Sequence, residues 1–324
     1  ELSPMYHLII LDDFLDILNI LKIYEFDKKI IFNKIEKNLN KMFYWADTMS
    51  HPDQDLSFFN DSVFDIAPRL PELRFYASNL ELDIKSNKKE KNINQLESTE
   101  ENQLDHLEES GYIKLRNNKI SLILDVADIK ANNQPGHTHA DTLSFEMSIG
   151  NDRVIVNSGL STYEISKQRH FQRSTKAHNT LEINSKNSSE VWSSFRVGKR
   201  ARVKNLKIDH NIKCSKVLAA HDGYKGILHT REWIMKSNII TIKDFIDGEY
   251  ETAILRFYLH PNIEFLQRNI LKLTKVRSLE IVSNNTFNIV DASWYPEFGK
   301  SIKNKCIEMN VINGVNEIQL KILE

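Results

Sequence analysis

The densest group of chemistry-bearing residues is the stretch GHTHADTLSFE, Gly136 to Glu146. In an extended segment His137 and His139 project to one face, because side chains alternate with a period of two. Two imidazoles side by side are costly to bury unless they are paired or ligate a metal. With Asp141 close by and Pro135-Gly136 just before, the pair reads as a functional site rather than as scattered surface histidines. A second cluster is RHFQRSTKAHNT, Arg169 to Thr180, where Arg173, Lys176 and His178 offer cationic and imidazole groups just before a strand; a solvated turn has much the same composition. A third, SSEVWSSFRVGKRARV from Ser188 to Val203, interleaves Trp192 and Phe195 with Arg196, Lys199, Arg200 and Arg202. Arginine grips carboxylate or sulfate bidentately, so an aromatic beside guanidinium groups suits an acidic sugar, although a sandwich edge looks similar. HDGY, His221 to Tyr224, places His221 at a strand end, and Tyr6-His7 falls in the first turn of a helix.

The elements that must position these groups change character along the chain. Ser3 can cap the free amides of a first turn, and Pro4 sits where its missing N–H costs nothing. From Tyr6 to Tyr24 apolar residues cover most of the helix circumference, so this helix needs neighbours on several sides. A second helix over roughly Lys28 to Met49 and a short one near Pro71 to Leu80 cannot supply them all, which implies further helices from outside this stretch. Residues Lys85 to Gln103 are polar and charged, as in an exposed linker. After them the period becomes two. GYIKLRNNKISLILDVAD reads as two strands joined at Asn117–Asn118, and LSFEMSIGNDRVIVNSG repeats the pattern around Gly150–Asn151. About a dozen strand-like runs follow one another with no intervening helix, which argues for stacked antiparallel sheets. The expected division is helices over 1–82, a linker over 83–110 and a β-sandwich over 111–324.

Composition narrows the function classes. The 324 residues are 41% hydrophobic and 27% charged, as in an ordinary soluble protein. A net charge of −1 gives no global field for nucleic acid or an anionic membrane, so a polyanionic ligand needs a local basic patch. No window approaches the roughly 20 apolar residues of a spanning helix. Cys214 and Cys306 are too few for a disulfide framework and either pair with each other or stay as thiols.

Taken together and in order, SPMYH (Ser3 to His7), HPDQDLSFFND (His51 to Asp61), GHTHADTLSFE, VNSGLSTYE (Val156 to Glu164), RSTKAHNT (Arg173 to Thr180), SSEVWSSFRV (Ser188 to Val197) and HDGY resemble the heparinase II/III-like family of polysaccharide lyases. The resemblance covers about the first two thirds of the chain. It implies a mainly β fold, a large multi-sheet antiparallel β-sandwich preceded by the last helices of an incomplete (α/α) toroid, with the substrate cleft between them. It also implies β-elimination on a uronic-acid-containing polysaccharide. A base removes the proton α to the uronate carboxyl, whose charge must be neutralised, and an acid protonates the departing glycosidic oxygen.

By motif position the resemblance makes Tyr6 the acid/base with His7 close by, His137 the catalytic histidine and His221 a further cleft residue, while Arg173, Trp192 and Arg196 are the candidate substrate contacts of the two cationic clusters. It implies a structural zinc on the second His of the His-x-His, an aspartate of the next strand and the His of A-H-N-T. These positions are His139, Asn157 and His178 here. An amide oxygen brings no charge, so either the two histidines hold zinc with waters or the three residues form a metal-free cluster. The family draws its carboxylate-neutralising residue from a helix ahead of SPxYH, which is expected to be missing from this stretch. A periplasmic or secreted bacterial location follows from the resemblance, and oligomeric state is unreadable. Two rivals differ in kind. A cupin metal centre needs a glutamate three or four residues after the second His, whereas Glu146 lies seven beyond His139. A non-catalytic glycan-binding or structural sandwich keeps the scaffold but has no need for Tyr6 and His137 together.

Overall fold

The computed structural model describes residues 2–24, 29–84, 101–129, 134–273, 278–312 and 314–323. Three helices lead: α1 (Pro4–Ile23), α2 (Lys29–Thr48) and α3 (Leu70–Asn79). The start of α1 is the expected cap, with the Ser3 hydroxyl accepting from the Tyr6 amide at 3.2 Å. Leu8, Leu11, Leu15 and Leu18 of α1 are buried in one cluster with Leu39 and Phe43 of α2 and Leu73 of α3. Ile17, Ile20 and Ile23 on its other side stay exposed, so three helices do not cover α1, as its composition predicts.

The strands follow as β1 (Gln103–Leu107), β2 (Tyr112–Arg116), β3 (Ile120–Asp125), β4 (Phe145–Ile149) and β5 (Asp152–Ile155). After a short helix, α4 (Lys167–Arg173), come β6 (Leu181–Ile183), β7 (Val191–Trp192), β8 (Arg196–Val197), β9 (Val203–Asn211), β10 (Cys214–His221), β11 (Leu228–Lys236) and β12 (Ile239–Asp247). The last are β13 (Ala253–Tyr258), β14 (Glu264–Gln267), β15 (Ile270–Lys272), β16 (Ser278–Ser283), β17 (Phe287–Trp294), β18 (Ile302–Asn310) and β19 (Val315–Leu323). They form a five-stranded sheet β1-β2-β3-β4-β5, an eight-stranded sheet β14-β15-β16-β19-β12-β11-β10-β9, a four-stranded sheet β17-β18-β13-β6 and the hairpin β7-β8. Leu122 and Phe145 of the first sheet, Val217, Trp233 and Ile242 of the second, and Leu255 and Ile307 of the third share one buried core. This is the mainly β, multi-sheet antiparallel architecture expected. Val156, Leu160 and Trp294 belong instead to the helical cluster, so the helices rest directly on the sheets.

Three local readings change. Most of the linker expected over 83–110 lies outside the described residues, and its far end is β1, where Leu104 pairs with Leu115. The Asn117 turn is longer than two residues, its carboxamide oxygen accepting from the amides of both Lys119 and Ile120 at 2.9 Å. The strand region does contain a helix, α4, capped by Ser166. Its apolar signal is absent because what it buries is Arg169, Gln172 and Arg173. Cys214 and Cys306 are unpaired thiols, Cys306 buried. Among the described residues no helix is long and apolar enough to cross a membrane.

Candidate active site

The first turn of α1 delivers Tyr6 and the stretch before β4 delivers His137, and the two rings meet with centroids 4.4 Å apart. The Tyr6 hydroxyl lies 3.1 Å from the Tyr163 hydroxyl. What holds this meeting is Asp61, a residue that sequence reasoning quoted within a motif but gave no role. Its Oδ2 accepts from His137 Nδ1 at 2.9 Å and its Oδ1 from His139 Nε2 at 2.7 Å. The guanidinium of Arg169 closes on the same carboxylate, with one bond of 2.7 Å to Oδ2. The Asp61 carbonyl accepts from the Ser3 hydroxyl at 2.7 Å, and its amide donates to the His137 carbonyl at 3.0 Å. One residue thus joins the cap of α1, the His-x-His segment and α4.

The electrostatics follow from that set. Burial alone would raise the Asp61 carboxyl, but hydrogen bonds from His137, His139 and Arg169 outweigh it and hold Asp61 well below the usual carboxylate range. A carboxylate at Nδ1 makes that nitrogen the donor, which fixes the tautomer of the neutral His137 ring with its proton on Nδ1. Arg169 is fully buried, its charge matched by Asp61, and its Nε and Nη2 also donate to the Ser194 carbonyl. Its guanidinium stacks over Tyr163 at 5.0 Å and Phe195 at 5.4 Å. Burial pushes the Tyr163 phenol well above its ordinary range, with the Asp61 charge adding to the shift. The His-x-His segment is not part of a regular strand, but both rings still converge on one carboxylate.

Other residues expected here sit elsewhere. His7 follows Tyr6 by about 100° of helix rotation and faces α2, its Nε2 at 2.9 Å from the Met42 carbonyl and its ring against Trp45. Burial lowers its pKa, with the Met42 bond opposing. His221 is interior to the eight-stranded sheet, contacting His229, Gly223 and Tyr224; it reads as a strand-end residue in sequence, yet β10 ends inside the sandwich. Arg173 is buried, and its guanidinium donates to the carbonyls of Thr138, Ser193 and Arg196. It ties the hairpin β7–β8 to the His-x-His segment rather than facing a ligand. Trp192 and Arg196 are cross-strand partners on that hairpin, and both are exposed. Residues that sequence reasoning did not assign are Asp61, Tyr163 and Arg169; only their presence inside the quoted motifs signalled them.

The residues expected around a metal are brought together in an altered arrangement. His139 Nδ1 and His178 Nε2 are 3.2 Å apart, and His178 Nδ1 is 3.2 Å from Asn157 Oδ1. Asn157 therefore lies at the opposite nitrogen of the His178 ring and orients it, as outer partners of ligating histidines do. Asp141 takes the place expected for Asn157: one ligand atom each from His139, Asp141 and His178 all lie within 4.8 Å of one another. With Asp61 fixing a proton on His139 Nε2 and Asn157 Oδ1 fixing one on His178 Nδ1, the two facing nitrogens are both acceptors. Asp141 Oδ2 is buried with no hydrogen-bond partner. Two neutral imidazoles and a carboxylate, each with an unsatisfied lone pair, are a donor set that suits zinc. Burial keeps both imidazoles neutral, His178 most strongly.

Residues 99–317 match the protein family described as heparinase II/III-like, C-terminal. Among solved structures the chain is similar to the heparan sulfate lyase HepC from Pedobacter heparinus, with a TM-score of 0.74 and 16% identity over 100% of this chain and 52% of that one. It is also similar to the heparinase III BT4657 gene product, with a TM-score of 0.71 and 16% identity over 99% of this chain and 51% of that one. A further heparinase III structure gives a TM-score of 0.70 at 16% identity, covering 53% of its chain. The chain thus spans about half the length of these structures, and at such identity the likeness is one of fold. Among curated proteins, none matches this sequence. With the family matched over most of its length, the chain belongs to the heparinase II/III-like family, whose C-terminal β-sandwich it carries.

Proposed function

We propose that the cluster of Tyr6, His137 and Tyr163 is the reaction centre of a polysaccharide lyase that breaks uronic-acid-containing chains by β-elimination. The observation that carries this reading is the ring contact of 4.4 Å between Tyr6 and His137, side chains from opposite structural parts. A structural sandwich has no use for that meeting. In this reading His137 Nε2, its ring held by Asp61, takes the proton α to the uronate carboxyl or hydrogen-bonds the carboxylate as charge builds. The Tyr6 hydroxyl moves a proton at the glycosidic oxygen, with Tyr163 as its hydrogen-bond partner. Arg169 is committed to Asp61, so it orients rather than meets the substrate. Zinc held by His139, Asp141 and His178 would add a fixed cation tying the His-x-His segment to the segment before β6. The proposed partner is an acidic polysaccharide, and a periplasmic or secreted setting suits such a substrate.

The test is Tyr6→Phe, which keeps the ring and removes the transferable proton. Turnover, followed by the ultraviolet absorbance of the unsaturated uronate product, should fall by about 10²–10⁴ with binding retained. Near-normal turnover removes Tyr6 from the chemistry. A second reading, a glycan-binding sandwich without catalysis, is favoured by one observation. Two depressions of about 520 Å³ each meet at Lys199 and Tyr224, one of them reaching Trp192, and neither is lined by Tyr6. Flat absorbance across a panel of acidic polymers with binding intact would select it.

A further inference from the structure

The hairpin β7–β8 separates two regions. Phe195, in its turn, packs toward His137 and Tyr163, with centroids 5.6 and 5.3 Å away. Beyond the hairpin the two depressions share Lys199, Tyr224, Lys225 and Ile227 and so form one groove. Trp192, 56% exposed, stands at one end of it. The floor is preformed. A Cβ on Gly223 would meet the Ser188 carbonyl oxygen at 2.2 Å, so the backbones are in direct contact there. The Tyr224 hydroxyl below is fixed to the Leu181 carbonyl at 2.7 Å.

The charges of the wall are unequal. Lys186, Lys199 and Lys225 line the groove and are exposed, and none forms an ion pair among the described residues. The acids of the lining are fewer, Glu190, Asp222 and Asp247 against the three lysines, Arg200 and Arg202. Glu190 accepts from the Lys199 amide at 2.9 Å, and Asp222 pairs with Lys204 at 2.7 Å and accepts from the Arg202 amide. Asp247 lies at the far rim. An exposed indole face over a rigid floor, flanked by uncompensated ammonium groups, suits a ring with an apolar face and anionic substituents. Single-stranded nucleic acid is a poorer fit, because its platforms stack successive bases on several aromatics. Tyr224 is buried, leaving Trp192 alone.

We propose that this groove is a second binding site for an acidic oligosaccharide, with Trp192 against a sugar face and Lys186, Lys199 and Lys225 on its carboxylates or sulfates. It lies across the hairpin from Tyr6 and His137, where a stretch of polymer away from the cleaved bond would rest. The identity of the polymer rests on the lyase reading; the binding itself does not.

Hexaglucuronate, a sulfated hexaglucuronate, neutral glucohexaose and a hexathymidine strand serve as probes in a Tyr6→Phe background, where turnover cannot consume them. Calorimetry measures affinity, and the emission change lost in Trp192→Ala reports on Trp192, since Trp233 and Trp294 are buried and the half-buried Trp45 lies on α2 against His7. The acidic hexasaccharides should perturb the emission, bind at least about tenfold tighter than glucohexaose, and weaken in higher salt. Trp192→Ala, and separately Lys199→Gln with Lys225→Gln, should each weaken them about tenfold with the melting temperature unchanged. Equal binding of glucohexaose or hexathymidine, or native affinity in both variants, overturns the proposal. If the unsubstituted Tyr6 protein turns over polymer while the groove binds nothing, this proposal alone falls. If the groove binds acidic sugars while no polymer is cleaved, the lyase reading alone falls.

Discussion

Replacing Glu146 by glutamine isolates a buried charge between the helical segment and the sheets. Glu146 Oε1 accepts from the amides of Asn157 at 2.7 Å and Phe58 at 3.2 Å, and Oε2 lies 2.7 Å from His51 Nε2. His51 Nδ1 in turn reaches the Ser148 hydroxyl at 2.7 Å. Burial pushes the Glu146 carboxyl up from 4.5 to about 7, with Arg153 and the two amides opposing. Because the folded value lies above the unfolded one, the folded state binds the extra proton. Its contribution is fully present below about 4.5 and is lost as pH rises through about 7. Two and a half units at about 1.4 kcal/mol per unit make the loss on the order of 3 kcal/mol. Glutamine keeps the shape, still accepts both amides, and can donate its NH₂ to His51 Nε2 while His51 donates from Nδ1 to Ser148. The buried histidines move stability the other way, being forced to charge on unfolding in acid, so the informative quantity is a difference. Urea unfolding at pH 5, 6, 7 and 8 should show Glu146→Gln gaining on the native protein by about 2.5 kcal/mol across that range, the rest of the change falling below pH 5. A difference that stays constant with pH refutes the argument, because the carboxyl would then not be titrating in the fold.

Asp61→Asn should lower the lyase rate constant by about 10² with a smaller effect on KM, because His137 loses its anchor; a rate within twofold of native would make Asp61 purely structural. Asp61→Ala should also cost about 3–5 kcal/mol in urea unfolding, since Arg169 is left buried without a counter-charge. Metal analysis should find one equivalent of zinc lost on His139→Ala and on Asp141→Asn but retained in Asn157→Ala at reduced affinity. Chelator should lower the melting temperature of the native protein, and an unchanged melt with no metal bound ends that reading.

The parts of this molecule that were legible in its sequence are those with local causes. The Ser3-Pro4 start, the period-two runs and the spacing of His137 and His139 each follow from chain geometry within a few residues, and motif order added Tyr6. What was hidden depended on contacts distant in sequence. Asp61 joins groups 58 to 108 residues away in the chain, and its loop neighbour Asn60 adopts φ 56°, which no periodicity announces. α4 has no apolar stripe because arginines fill its buried side, so RHFQRSTK read as a cationic segment before a strand, with a solvated turn as the alternative, and not as a helix. Arg173 looked like a ligand cation because sequence does not show that three carbonyls use its donors. His221 was expected in one cleft with Tyr6, and only the sheet order shows it inside the sandwich.

The His221 interior chain bears on how the large sheet finds its pairing. The Gly223 amide donates to His221 Nδ1, His221 Nε2 then donates to His229 Nδ1 at 3.1 Å, and His229 Nε2 donates to Asp244 at 2.7 Å. The three side chains lie on β10, β11 and β12, with His221 opposite His229. Alternation of apolar and polar residues forbids a slip by one position but tolerates a slip by two, since the same faces stay inside. A two-position slip would set Ala219 or Gly223 against His229 and strand an imidazole in the interior with no acceptor. The relay therefore works as a registration key, choosing one alignment among those that hydrophobicity leaves equal.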